Sequence, residues 1–152
     1  MATPAHKTMF GTIVWANDGG PRDDAVLAYV RETCERHSSS LRIVHVARPL
    51  AAGDGERRVA ALKAMTSSLR RHGINASLHV VRGAIGSPAH QIAEVARMSD
   101  ADLLVVGSHG RSRVRDAVPG GVTQRLLGQA PCPVLILTAA SAHAPAAVTC
   151  SA

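Results

Sequence analysis

Leu103-Leu104-Val105-Val106-Gly107-Ser108-His109-Gly110 is the stretch that decides the fold. Its first four residues are an uninterrupted apolar run, which predicts a strand buried on both faces. A second glycine-rich stretch, Gly120-Gly121-Val122-Thr123, follows Gly110 after nine further residues. A strand that opens through glycine into a helix places unpaired backbone N–H groups where an anion can bind, and glycine lets the backbone approach closely. We interpret residues 107–123, the glycine-rich segment, as a two-part phosphate-binding site.

Short apolar runs alternate with amphipathic stretches along the rest of the chain. The runs predict five strands, at Thr12–Ala16, Leu41–Val46, Ala76–Val81, Asp102–Val106 and Val134–Leu137. Apolar residues at helical spacing predict four helices between them: one from Pro21 to about His37, one ending at His72-Gly73, one starting at Ser87-Pro88, and one carrying Val122, Leu126, Leu127 and Ala130. On the first helix, the predicted inward stripe is Val26, Tyr29, Val30, Thr33 and Cys34. Strands that are continuously apolar predict an α/β fold, an open parallel sheet with helices on both faces.

Length and composition indicate a single globular domain. The chain has 152 residues, of which 46% are hydrophobic and 18% charged. It has no apolar run long enough to cross a bilayer, and its first nine residues lack the pattern of a signal peptide, so we expect a cytoplasmic protein without membrane contact. Periodicity stops after Ala139, which predicts a domain over residues 1–139 and a flexible tail over 140–152.

Charge and composition disfavour two classes of binding protein. The formal net charge is +6, but one Phe, one Trp and one Tyr leave little for stacking on bases, so nucleic acid is not the expected partner. Eight scattered histidines and three distant cysteines show no spacing typical of a metal site, and we expect Cys34 and Cys132 in the core. Much of the positive charge belongs to Arg111, Arg113 and Arg115, within the glycine-rich segment, where a small polyanion explains it equally well.

Asp18 is a second candidate binding residue, in a turn after the first predicted strand. An aspartate in such a turn either caps the following helix or contacts a ligand. Parallel α/β sheets bind ligands beyond the carboxyl ends of their strands, at the point where the strand order reverses. If strands one and four are neighbours, Asp18 and Gly107 flank one crevice. Trp15, on the first strand, has two interpretations as well, core packing or a dimer interface.

Three stretches of the chain resemble the universal stress protein family, and the resemblance extends over nearly the full length. They are residues 13–20, residues 86–107 and the glycine-rich segment, which is similar to the signature of the ATP-binding members: Gly, two residues, Gly, nine residues, Gly, Ser/Thr. The resemblance implies a five-stranded parallel sheet in the order 3-2-1-4-5. It also implies a homodimer formed through strand five.

Carried over by position, the resemblance implies an adenine nucleotide site. Asp18 would meet the adenosine. Ala16, Asn17, Val46 and Val106 would line the base and ribose pocket; Gly107, His109 and Gly110 would approach the phosphates; Gly120, Gly121, Val122 and Thr123 would close on the phosphate tail. No protein side chain is assigned to a metal, and Mg²⁺ would be held through the phosphates. The implied function is a stress-response regulatory or signalling protein that binds ATP, AMP or cyclic AMP.

The sequence departs from the family signature at Gly121, which stands where the signature has Ser or Thr. The missing hydroxyl removes a hydrogen bond to a charged group, worth roughly 1.5 to 3 kcal/mol, or about one to two decades in affinity. Gly20 replaces the serine of the opening turn, and Pro119 removes a backbone donor. The alternative function is therefore a member with weakened ATP binding that prefers cyclic AMP or acts through protein partners only.

We predict no catalytic residue. His109 has no identifiable serine, cysteine or carboxylate partner that would make it a catalytic base. Asp116 is the only acidic residue after the glycine loop suited to positioning water or a metal ion. At most, we expect slow ATP hydrolysis.

Overall fold

The fold was determined as a computed structural model, which describes residues 9–19, 24–47, 53–82, 86–107 and 121–137. Within these ranges the strands are β1 (Thr12–Ala16), β2 (Ser40–Val46), β3 (Ala76–Val81), β4 (Leu103–Gly107) and β5 (Val134–Leu137). The helices are α1 (Asp24–His37), α2 (Asp54–Arg71), α3 (Pro88–Met98) and α4 (Gly121–Gln129). Every predicted strand and helix is present. The boundaries differ by one residue at β2 and β4, and the predicted start of the first helix, Pro21, lies outside the described residues.

All five strands form one parallel sheet in the order β3-β2-β1-β4-β5, which confirms the predicted fold class and strand order. The central strand β1 pairs with β2 on one side, where Ala16 is level with Val44, and with β4 on the other, where Ala16 is level with Val106. The chain runs outward from β1 through β2 to β3 and then returns to β4. The strand order therefore reverses between β1 and β4.

Two hydrophobic layers cover the sheet, and β1 contributes to both because its side chains alternate between faces. Ile13 and Trp15 pack with residues of α1 and α2, whereas Val14 packs with residues of α3 and α4. Trp15 is completely buried, and its indole Nε1 has no hydrogen-bond partner among the described residues. Of the two interpretations of Trp15, the structure selects core packing.

Local signals in the sequence explain where α3 starts and which face it buries. At α3, Ser87 is the N-cap and its hydroxyl accepts a hydrogen bond from the His90 N–H at 3.3 Å, with Pro88 in the first turn. The buried face of α3 then follows helical spacing: Ala89, Ile92, Ala93, Val95 and Ala96.

No helix within the described ranges is long and apolar enough to span a membrane.

On two helices, the sequence predicts more inward-facing residues than the structure contains. Tyr29 on α1 is 45% exposed and Leu127 on α4 is 55% exposed, although both were predicted to face inward. Adjacent residues of a helix point about 100° apart, so Leu126 and Leu127 cannot both face the sheet, and Leu126 is the buried one. Cys34 is buried as predicted, whereas Cys132 is only half-buried, against the layer of α3 and α4.

Candidate functional site

The turn after β1, residues 17–19, has a fixed form at the carboxyl edge of the sheet. The backbone N–H of Asn17 donates to the carbonyl of Val44 at 2.9 Å, which extends the parallel ladder beyond β1. The Asn17 side chain then accepts from the Gly19 N–H at 2.6 Å, an Asx turn. Gly19 has φ +74°, in the left-handed region that favours glycine. Asp18 therefore lies exposed at the middle of a turn whose two flanking residues are held in place.

Two side chains from other elements hold the carbonyls of this turn. His45 on β2 is 4% exposed, and its Nδ1 lies 2.9 Å from the carbonyl oxygen of Asn17. A carbonyl oxygen only accepts, so His45 Nδ1 must carry the hydrogen. Arg58 on α2 donates from Nη1 to the carbonyl oxygen of Asp18 at 2.8 Å. Neither residue was among the predicted site residues.

The end of β4 lies beside this turn at the same edge of the sheet. Val106 is 4% exposed and Gly107 follows it directly, half-buried and level with Leu137 of β5. Because β1 and β4 are neighbours, the turn of Asp18 and Gly107 lie at the same edge, as the crevice hypothesis requires. Val46, at the end of β2, is half-buried and pairs with Val81. Ala16, Val46 and Val106 thus lie at the ends of three adjacent strands.

The start of α4 differs electrostatically from the starts of α1 and α2. The first turn of α1 contains Asp24, and that of α2 contains Asp54 and Glu56, whereas the first turn of α4 contains no acidic residue. Carboxylates stabilise the positive end of a helix, and the described first turn of α4 supplies none. Gly121 is exposed there, Val122 packs against the layer of α3 and α4, and Thr123 is 6% exposed.

Several predicted contacts remain predictions because their residues lie outside the described ranges. These residues are Gly20, His109, Gly110, Arg111, Arg113, Arg115, Asp116, Pro119 and Gly120. Among the described residues, no group of three or more His, Cys, Asp or Glu side chains is arranged to hold a metal ion.

The described edge offers complementary chemistry at its two ends. A carboxylate at Asp18 accepts hydrogen bonds from hydroxyl or amine groups, whereas the first N–H groups of α4 have no intrahelical acceptors and can donate to an anion. The apolar residues Val46 and Val106 lie at or near the carboxyl ends of β2 and β4. Such a surface suits a ligand with polar hydroxyls, a flat apolar part and negatively charged groups.

Comparison with known proteins places the chain among proteins of the same architecture. The "Universal stress protein in QAH/OAS sulfhydrylase 3'region" of Thermus aquaticus is 28% identical over 138 residues, which are 85% of this chain and 99% of that protein. A universal stress protein solved in complex with cAMP has 22% identity and a TM-score of 0.64, over 84% of this chain and 96% of that one. The universal stress protein from Archaeoglobus fulgidus in complex with dAMP has 21% identity and a TM-score of 0.61, over the same shares.

These two structures are similar to this chain in fold. The family itself is shown by the sequence profile of the Universal stress protein family, which matches residues 9–138 and so includes every described strand and helix. The chain therefore belongs to the universal stress protein family.

Proposed function

We propose that this protein binds an adenine nucleotide, ATP or the related AMP or cyclic AMP, at the carboxyl edge between β1 and β4. The observation that carries the proposal is the position of Asp18, just after β1, and of Gly107, at the end of β4. These two strands are the neighbours between which the strand order reverses. Two proteins of similar fold were solved with adenine nucleotides, cAMP and dAMP, which supports the choice of ligand class. We further propose a cytoplasmic stress-response regulatory protein that acts as a homodimer.

The residues present fit an adenine nucleotide. Asp18 would accept from the adenosine, and the ends of β1, β2 and β4 would provide the apolar contacts for the base and ribose. Phosphate groups would lie at the α4 N-terminus, where helix N–H groups and the helix dipole favour negative charge. Mg²⁺, if it accompanies ATP, would be held through the phosphates.

The proposal is tested with purified full-length protein. Protein is denatured and the supernatant chromatographed for released nucleotide, and fresh protein is titrated with ATP, AMP, cyclic AMP and GTP by calorimetry. We expect adenine nucleotides to bind and Asp18→Ala to weaken them at least about fivefold, since one charge-assisted hydrogen bond is lost. Glu35→Ala, which removes a negative charge at the far end of α1, is the control. No released nucleotide and no heat with any adenine nucleotide would refute the proposal.

We propose binding rather than turnover as the activity. The same samples, incubated with ATP and Mg²⁺, are assayed for inorganic phosphate over several hours. We expect at most slow release, because no catalytic residue is assigned. Fast release over many turnovers, lost in Asp116→Ala while ATP binding persists, would identify an enzyme instead.

A second candidate is a family member with weakened ATP binding that prefers cyclic AMP or acts only through protein partners. Gly121 favours it, because α4 begins with a residue that cannot supply the hydroxyl of the family signature. A nucleotide without the triphosphate tail would lose less from that substitution. The relative affinities for ATP, AMP and cyclic AMP distinguish the two candidates.

We propose that β5 forms the dimer interface. β5 is an edge strand of the sheet, and three of its four residues are only half-buried, whereas the residues of the central strand β1 are mostly buried. An edge strand has backbone groups that can pair with a second copy. Pairing there would leave the crevice between β1 and β4 within each protomer.

A further inference from the structure

We infer that Arg58 and His45 are positioning residues for nucleotide binding, which hold the turn of Asp18 from two different elements. The inference rests on the proposed nucleotide site. His45 binds the carbonyl of Asn17 and Arg58 binds the carbonyl of Asp18, so two successive carbonyls of the turn are held by side chains. Held in this way, the turn presents Asp18 to the ligand in one orientation.

The turn needs such support because it has left the sheet. Asn17 N–H still bonds to the carbonyl of Val44, and Gly19 N–H bonds to the Asn17 side chain within the turn. If a loop becomes ordered only when the ligand binds, the conformational entropy lost in ordering it weakens the binding free energy. Contacts that fix the turn beforehand remove that cost.

Arg58 fits the turn along the whole length of its side chain. A Cβ placed on Gly19 would lie 3.1 Å from Arg58 Cβ, 3.3 Å from Cγ and 3.5 Å from Cδ. The aliphatic stem of Arg58 therefore lies against Gly19, while its guanidinium reaches the carbonyl of Asp18. Glycine at position 19 provides both the left-handed conformation and the room for this stem.

His45 holds the turn from the buried side. It is 4% exposed, and its Nδ1–H is the donor to Asn17, whose own side chain is engaged with Gly19. Removal of this donor would leave a carbonyl without its partner in a buried setting, which loosens or shifts the chain. His45 thus acts on Asp18 through Asn17.

A direct contact between Arg58 and phosphate is the competing explanation, and ligand charge separates the two. A positioning role lowers affinity for adenosine, AMP and ATP by the same factor, because the turn meets the part that they share. A direct ionic contact gives no loss for adenosine and an increasing loss from AMP to ATP.

The experiment titrates wild-type, Arg58→Met and Arg58→Lys proteins with the three ligands by calorimetry. Arg71→Met is the matched control, since it removes the same charge from an exposed position at the other end of α2. We expect Arg58→Met to weaken all three ligands about three- to tenfold, Arg58→Lys to restore part of the loss, and Arg71→Met to change nothing. A loss that grows with ligand charge, or no loss at all, would overturn the inference.

Hydrogen exchange of the Gly19 amide, measured by NMR on ligand-free protein, gives a readout without nucleotide. We expect faster exchange in Arg58→Met and in His45→Leu than in the wild type. His45→Asn, which retains an N–H donor near the Nδ1 position, should be slower than His45→Leu. Unchanged exchange in both Arg58→Met and His45→Leu would contradict the inference.

These readouts keep the two proposals separate. A wild-type protein that binds none of the three ligands refutes the proposed function, yet faster Gly19 exchange in Arg58→Met would still show that Arg58 holds the turn. Normal binding with unaltered affinity in Arg58→Met would instead refute the positioning role alone.

Discussion

Cys34 shows how burial controls the chemistry of a single residue. It lies on the buried face of α1 and is 2% exposed. Burial raises the pKa of its thiol from 9.0 to about 11, and the neighbouring Glu35 carboxylate acts in the same direction. Both effects disfavour the thiolate, which is the reactive form. Cys34 is therefore a structural apolar residue of the core.

The raised pKa of Cys34 predicts a loss of stability at alkaline pH. Since the folded pKa lies above the unfolded value, the neutral thiol favours folding below pH 9, and this contribution falls as the pH rises towards about 11. Each pKa unit corresponds to about 1.4 kcal/mol, so we expect a decline on the order of 2 kcal/mol. Urea unfolding at several pH values measures it.

Cys34→Ala is the informative variant and Cys132→Ala the comparison. Alanine at position 34 should lower stability at neutral pH through a small cavity but flatten the decline between pH 9 and 11. Cys132 is half-buried, and its pKa is also raised, first by burial and then by Asp102. An equally steep decline in Cys34→Ala and in the wild type would contradict this account.

We propose that nucleotide preference depends on the N-terminus of α4. Gly121 opens the helix without a hydroxyl, and a Cβ placed there would meet no atom of the described residues within 4 Å. Its φ also lies outside the left-handed region, so other residues can adopt it. A serine side chain is therefore compatible with this position.

Gly121→Ser is predicted to tighten ATP binding by about one to two decades, because it restores a hydroxyl donor to the phosphate tail. Gly128→Ser is the matched control, because it is the same substitution on the same helix and its new Cβ also meets no described atom within 4 Å. Calorimetry with ATP and with adenosine separates a phosphate effect from a general one. Equal ATP affinity in wild type and Gly121→Ser would show that the missing hydroxyl does not limit binding.

The elements were predictable because each is marked by signals within a few residues. The continuous apolar runs of β1 and β4 are typical of strands covered on both faces, and Ser87-Pro88 marks the start of α3. The support of the Asp18 turn was not predictable from such signals. His45 and Arg58 lie 28 and 40 residues along the chain from the carbonyls they hold, so only the fold brings them together.

Position alone gave partial hints of those two residues. His45 is a polar residue next to the carboxyl end of an apolar strand, which indicates a role at the ligand-binding edge. Arg58 lies in an arginine-containing helix turn that is equally typical of a solvated surface. The predicted site therefore contained Asn17, whose side chain closes the turn, but neither of the side chains that other elements contribute to hold it.

For the whole molecule, the proposed assembly is a dimer through β5. We expect sedimentation equilibrium at micromolar protein to give twice the chain mass of 15.8 kDa. The dimer should persist without nucleotide, because β5 lies beyond β4 at the sheet edge and does not line the crevice. A mass of a single chain at all concentrations would refute the dimer, and a dimer seen only with ATP would refute its independence from the ligand.

Trp15 makes this protein its own optical probe. It is the only tryptophan in the sequence, it is fully excluded from solvent on the central strand, and it lies two residues before the turn of Asp18. Its fluorescence should emit at short wavelength in the native state and shift to the red when the sheet opens. A single unlabelled sample can thus report unfolding, and any quenching on addition of nucleotide would come from one known position beside the crevice.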